Sequence, residues 1–162
     1  MQSRAPLSPR FGEFIALGPH GFTQVGYTAW GSEDAERTVV CMHGLTRNGR
    51  DFDFLAQRLA ALAMRVVAPD LPGRGRSAPV AHAEDYGTPL YLAVAGALIA
   101  HLGVKEVDWV GTSLGGHIGM ELAAQPGSQS GAWCSTTSVR ACPLRHCSAS
   151  ATICGTPRLF AR

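Results

Sequence analysis

No aspartate or glutamate follows Glu121 in this sequence of 162 residues, and of its six histidines only His117 and His146 lie beyond Ser113. A carboxylate or imidazole working late in the chain therefore has few candidates. No apolar run is long enough to cross a bilayer. Leu90 to Ala100 holds eleven residues whose only polar group is the Tyr91 hydroxyl, short of the ~20 that a spanning helix needs, so it reads as a buried core helix. Nothing at the amino terminus resembles a secretory signal. Formal net charge is +2 and no basic cluster is interleaved with aromatics, which excludes nucleic acid as a partner. The cysteines form no C-x-x-C pair, so a metal site lacks its usual spacing. With Cys41 placed in an apolar strand and no signal segment, the expected compartment is the cytoplasm.

What the sequence does contain is concentrated in three segments. Val107 to Gly116, Val-Asp-Trp-Val-Gly-Thr-Ser-Leu-Gly-Gly, reads as a strand passing through a tight turn into a helix, with Ser113 at the apex. A serine hydroxyl is a weak nucleophile at its free pKa, so a turn that exposes Oγ to a base has chemical meaning. Gly111 and Gly115 remove the Cβ atoms that would crowd such a turn. Upstream, the apolar run Arg37 to Met42 ends at His43-Gly44-Leu45-Thr46-Arg47-Asn48-Gly49. There Gly44 lets the chain turn, and His43 reads as a brace for the loop.

The third segment is Met64 to Ala68, an apolar run followed by the loop Pro69-Asp70-Leu71-Pro72-Gly73-Arg74-Gly75-Arg76-Ser77. Gly73 to Ala78 also fits a relaxed dinucleotide fingerprint, but Pro79 follows at once where the phosphate-binding version needs a helix to begin.

Taken in order, His43-Gly44, Asp70-x-x-Gly73-x-Gly75-x-Ser77 and Gly111-x-Ser113-x-Gly115 resemble the α/β-hydrolase superfamily, in its branch of bacterial esterases, lactonases and carbon–carbon bond hydrolases. The resemblance implies Ser113 as the catalytic nucleophile and the amides of Leu45 and Leu114 as oxyanion donors. Asp70 matches a loop position of the family, not its catalytic acid. Arg47 and Asn48, beside the oxyanion loop, are the candidate substrate-binding residues, with loop scaffolding as the competing reading. The implied partner is a small-molecule carbonyl substrate: an ester, a lactone or a related compound. No metal or organic cofactor is required, and the oligomeric state is left open.

The coarse periodicity fits an α/β class. Phe22 to Trp30 reads as an early strand, Asp51 to Leu62 carries Phe52, Leu55, Leu59 and Leu62 at helical spacing, and Leu90 to Leu102 as an apolar helix. The expected architecture is the α/β-hydrolase fold: a mostly parallel sheet with helices on both faces, truncated after the nucleophile helix. Residues 10–127 form the expected partial hydrolase domain. In the family the triad acid and histidine follow the nucleophile at a distance, and here only His117, one turn along the same helix, and His146 follow.

Residues 128–162 form an atypical tail, expected to be disordered or derived from a shifted reading frame. Up to Gln125 there are twelve acidic and ten basic residues; beyond it come four arginines with no lysine and no acid. Cys134, Cys142, Cys147 and Cys154 also fall there, with His146 among them. Read one base earlier, Trp133 and Cys134 force a valine codon with Leu, Val or Met before it. With one C restored after Ser128 and GC-rich third bases, the stretch becomes Ser-Pro-Ile-Arg-Arg-Leu-Val-Leu-Asn-Asp-Val-Gly-Pro, an apolar strand ending in a turn. Three functions stay open: a serine hydrolase acting through an acyl-enzyme, a catalytically inactive fragment, and a binding module that keeps the fold without the chemistry.

Overall fold

The computed structural model describes residues 8–126 and 130–135. Six strands form one sheet: β1 (Arg10–Gly18), β2 (Gly21–Trp30), β3 (Thr38–Met42), β4 (Arg65–Pro69), β5 (Val107–Gly111) and β6 (Ser130–Ser135), in the order β1-β2-β4-β3-β5-β6. Three helices connect them: α1 (Asp53–Ala61), α2 (Thr88–Leu102) and α3 (Leu114–Ala123). Parallel pairing joins β4, β3, β5 and β6, whereas β1 and β2 form an antiparallel hairpin that joins β4 antiparallel. The sheet is therefore mixed, with its parallel part where strands alternate with helices.

Every residue of β3 is buried, as a strand covered on both faces requires. Alternate side chains feed two separate cores. Val40 and Met42 join Val67, Trp109 and the α2 residues Leu90, Val94 and Leu98, while Val39 and Cys41 join Val66, Ala68, Trp30 and the α1 residues Ala56 and Ala60. That division is the period of two in a strand, and it puts α1 on one face and α2 with α3 on the other. Each large aliphatic side chain so buried contributes about 1.5–3 kcal/mol. Pro89 lies in the first turn of α2, and Gly103 closes the helix with φ of 67°, the left-handed cap that glycine adopts without strain.

One expectation needs correction, and one strand was not expected. The helix expected over 51–62 is split into a single 3-10 turn at Gly49–Phe52 and α1, with Phe52, Ala56 and Ala60 buried and Leu62 68% exposed. Small alanines let α1 lie close to the sheet, so the leucines flank the contact instead of filling it. Strand β1 had no sequence signal of its own. Phe14 and Ala16 point to the core while Phe11, Ile15 and Leu17 on the opposite face are exposed, so apolar residues on both sides erase the alternation.

Strand β6 pairs in parallel with β5, Val107 with Ser130 and Gly111 with Ser135, which carries the sheet past residue 127. The rest of the tail, including Cys142, His146, Cys147 and Cys154, lies outside the described residues.

The topology locates a crevice. From β3 the chain goes through α1 to β4 on one side, then returns through α2 to β5 on the other. The carboxyl end of β3 is thus a switch point, where α/β sheets bind ligands.

Candidate active site

Ser113 stands between the end of β5 and the start of α3, exposed, with φ of 51° and ψ of −112°. A non-glycine residue there carries about 1–3 kcal/mol of backbone strain. The surroundings hold it in place. Thr112 N–H donates to Met42 O at 3.0 Å, Gly115 N–H to Thr112 O at 2.9 Å, and His117 N–H to Ser113 O at 3.0 Å. The indole Nε1 of buried Trp109 donates to Gly115 O at 2.9 Å. A Cβ on Gly111 would collide with the Gly115 and Gly116 backbone, and one on Gly115 would collide with Met42 O and approach His43 O to 2.9 Å. Both glycines are therefore required by close backbone approach, as expected from the sequence.

The His43-Gly44 loop lies against this turn. A Cβ on Gly44 would sit 3.4 Å from Thr112 O and 3.7 Å from Ser113 Cβ. His43 is fully buried. Its Nε2 accepts the Leu71 N–H at 2.9 Å, which leaves Nδ1 protonated to donate to Gly44 O at 2.7 Å. Burial holds the imidazole below its ordinary value, opposed by the Gly44 hydrogen bond and by Asp70. His43 is a neutral brace between the ends of β3 and β4. Gly44 O also accepts the Arg47 N–H at 3.2 Å. In a trans peptide N–H points opposite to C=O, so pinning Gly44 O fixes the direction of the Leu45 N–H. Leu45 is exposed and Leu114, the first residue of α3, is half-buried.

The two candidate substrate-binding residues hold the same loop. Arg47 pairs with Asp51 through Nε at 2.7 Å and through its guanidinium tip at 2.8 Å, and those hydrogen bonds raise its pKa. Asn48 Oδ1 accepts the Arg50 N–H at 3.0 Å and caps the 3-10 turn.

Asp70 is a loop staple. Its two oxygens accept the Gly49 N–H at 2.7 Å and the Arg76 N–H at 2.8 Å. Ser77 Oγ donates to Asp70 O at 2.5 Å and accepts the Gly26 N–H at 2.9 Å. The motif's acid and serine thus stitch the loop to β2 and to the segment after β3. His117 turns its Nε2 to Glu121 at 2.7 Å on the surface of α3. Sequence reasoning passed over Arg74, whose Nε donates to Leu45 O at 2.5 Å across 29 positions.

A family model described as the alpha/beta hydrolase fold matches residues 37–142. The chain is 49% identical over 121 residues to a 3-hydroxybutyrate-oligomer hydrolase from Cupriavidus necator, covering 75% of this chain and 41% of that protein. It is 39% identical over 94 residues to a non-heme haloperoxidase from Rhodococcus erythropolis, covering 58% of this chain and 32% of that one. Among solved structures, an alpha/beta hydrolase from Novosphingobium aromaticivorans matches with a TM-score of 0.68 at 34% identity, over 77% of this chain and 43% of the other. The thioesterase domain from the curacin biosynthetic pathway matches with a TM-score of 0.69 at 28% identity, over 78% and 46%. The chain spans between about a third and two-fifths of the length of these curated relatives. No helix among the described residues is long and apolar enough to cross a membrane.

Proposed function

Because the chain belongs to the α/β-hydrolase family, we propose that its chemistry is hydrolysis of an ester, lactone or related carbonyl compound through an acyl-enzyme on Ser113. The observation that carries this reading is the strained, exposed backbone of Ser113 with the Gly44 loop packed against it. Oγ attacks the carbonyl carbon and its proton passes to a base, while the carbonyl oxygen gathers charge and is held by the Leu45 and Leu114 N–H groups. The alcohol leaves with that proton, and water then releases the acid. Removing one such donor in a serine hydrolase costs roughly a hundredfold or more in rate. A small-molecule ester is the substrate class; the hydrolase from Cupriavidus necator acts, by its name, on 3-hydroxybutyrate oligomers. Arg47 and Asn48 flank the site, and contact with substrate requires Arg47 to release Asp51. On this reading the protein works in the cytoplasm.

A second reading, an inactive chain or a binding module, is favoured by one observation. His117 is the one histidine after Ser113 among the described residues, and its Nε2 is engaged by Glu121.

A fluorophosphonate probe separates the two readings, since labelling requires an activated hydroxyl. Labelling of the full chain that disappears in Ser113→Ala supports the hydrolase. A folded circular-dichroism spectrum without labelling supports the binding module, and loss of both supports an inactive fragment.

A further inference from the structure

We infer that Arg74 is a positioning residue that fixes the Leu45 peptide at the candidate active site, an inference that rests on the function proposed above. Arg74 belongs to the loop after β4, yet its Nε donates to Leu45 O at 2.5 Å while Nη1 donates to Pro72 O at 2.9 Å. Hydrogen bonds from a charged donor are the strong ones, and the planar fork of a guanidinium serves two carbonyls in fixed relative geometry. The fork is itself held. Its central carbon lies 5.7 Å from the centroid of the Tyr86 ring and 5.9 Å from that of Tyr91, within cation–π range. Tyr91 is buried in α2 and Tyr86 Oη accepts the Val80 N–H at 3.3 Å.

Leu45 is thereby clamped on both sides. The peptide before it is pinned through Gly44 O, by His43 Nδ1 and the Arg47 N–H. The peptide after it is pinned through Leu45 O, by Arg74. The contacts on Gly44 O hold the peptide that carries the Leu45 N–H, Arg74 holds the peptide that follows, and the two together fix both backbone dihedrals of Leu45 and so the turn that presents the N–H. Leu45 is exposed in a short turn, so its side chain adds little to these hydrogen bonds. A group aimed at developing charge must be set before the reaction begins, and Arg74 supplies that constraint from a second loop.

The test uses the full chain, nitrogen-15 labelled, with Arg74→Ala and Arg74→Lys. In Arg74→Ala the Arg47 amide should exchange with solvent about tenfold faster and the Leu45 amide resonance should move, while the amides of β3 and α3 keep their protection. Ser113 phosphonylation should slow about tenfold in its limiting rate at saturating probe, with the half-saturating concentration unchanged. Arg74→Lys, a point charge without the fork, should recover part of that rate. An unchanged Arg47 exchange rate overturns the inference. So does an unchanged limiting rate, or a loss of protection spread evenly over β4 and α2, which would be a general structural effect. If the unsubstituted chain does not label while Arg47 exchange responds as stated, Arg74 still holds Leu45 and it is the serine-nucleophile reading that fails.

Discussion

His43 accepts the backbone N–H of Leu71 through Nε2 at 2.9 Å, so one imidazole ties the loop after β3 to the loop after β4. The bond requires a ring that is deprotonated at Nε2. Burial keeps the folded pKa below the ordinary 6.5, hence folding expels the proton. The contribution to stability is whole above that pH and is lost as the pH falls from there through the lowered folded value.

The thermal midpoint should therefore drop between pH 7.5 and pH 5.5 by more in the unsubstituted chain than in His43→Asn. That variant should start lower at pH 7.5, by about 1–3 kcal/mol for the buried N–H of Leu71 left without a partner. Parallel pH profiles for the two chains, measured by circular-dichroism melting, would contradict this account.

Asp70 gives a prediction with a graded pair of variants. Asp70→Ala strips acceptors from the Gly49 and Arg76 N–H groups together, and should cost about 2–4 kcal/mol. Asp70→Asn keeps one carbonyl oxygen and should cost about half as much. Urea unfolding midpoints in the order unsubstituted, Asn, Ala check this; equal losses would mean that a single contact carries the effect.

Two glycines in helices should respond in opposite directions. Gly96 is an exposed position of α2 with open space where a Cβ would go, whereas a Cβ on Gly115 would collide with Met42 O. Gly96→Ala should stabilise by roughly 0.5–1 kcal/mol, the helix cost of glycine relative to alanine. Gly115→Ala should destabilise by more than about 3 kcal/mol, because backbone carbonyl and new methyl cannot share the space. Thermal melts of both variants decide it, and a folded Gly115→Ala chain with an unchanged midpoint would show that β3 and α3 can separate at low cost.

The parallel strands were legible because their runs are short, apolar and β-branched, and because each ends at a polar or glycine-rich loop. Val39, Val40, Val66 and Val67 are buried on alternate faces, a pattern that needs no alignment to read. The turn at Ser113 was legible for a steric reason: glycines two positions to either side are what close backbone approach requires. Strand β1 was not, because the solvent side of its hairpin carries Ile15, Leu17 and Phe22, 58–77% exposed. Arg74 was not legible either. Its contact with Leu45 spans 29 positions, and nothing local in Gly-Arg-Gly signals which carbonyl a guanidinium will reach.

Strain at Ser113 gives a prediction that separates stability from chemistry. With φ of 51° and ψ of −112°, the residue sits where glycine is at ease and a side chain is not. Ser113→Ala keeps the Cβ and hence the strain, so it should melt near the unsubstituted chain. Ser113→Gly should recover about 1–3 kcal/mol of strain, less the roughly 0.5–1 kcal/mol that a more flexible unfolded chain takes back. A net gain of about 1 kcal/mol corresponds to about 2–4 °C for a chain of this size. Both variants lose the hydroxyl and should fail to react with a fluorophosphonate. The comparison that matters is glycine against alanine, since it cancels the loss of Oγ and isolates the backbone. If the two melt together, the turn is not strained, and the exposed hydroxyl is not held at the expense of the fold.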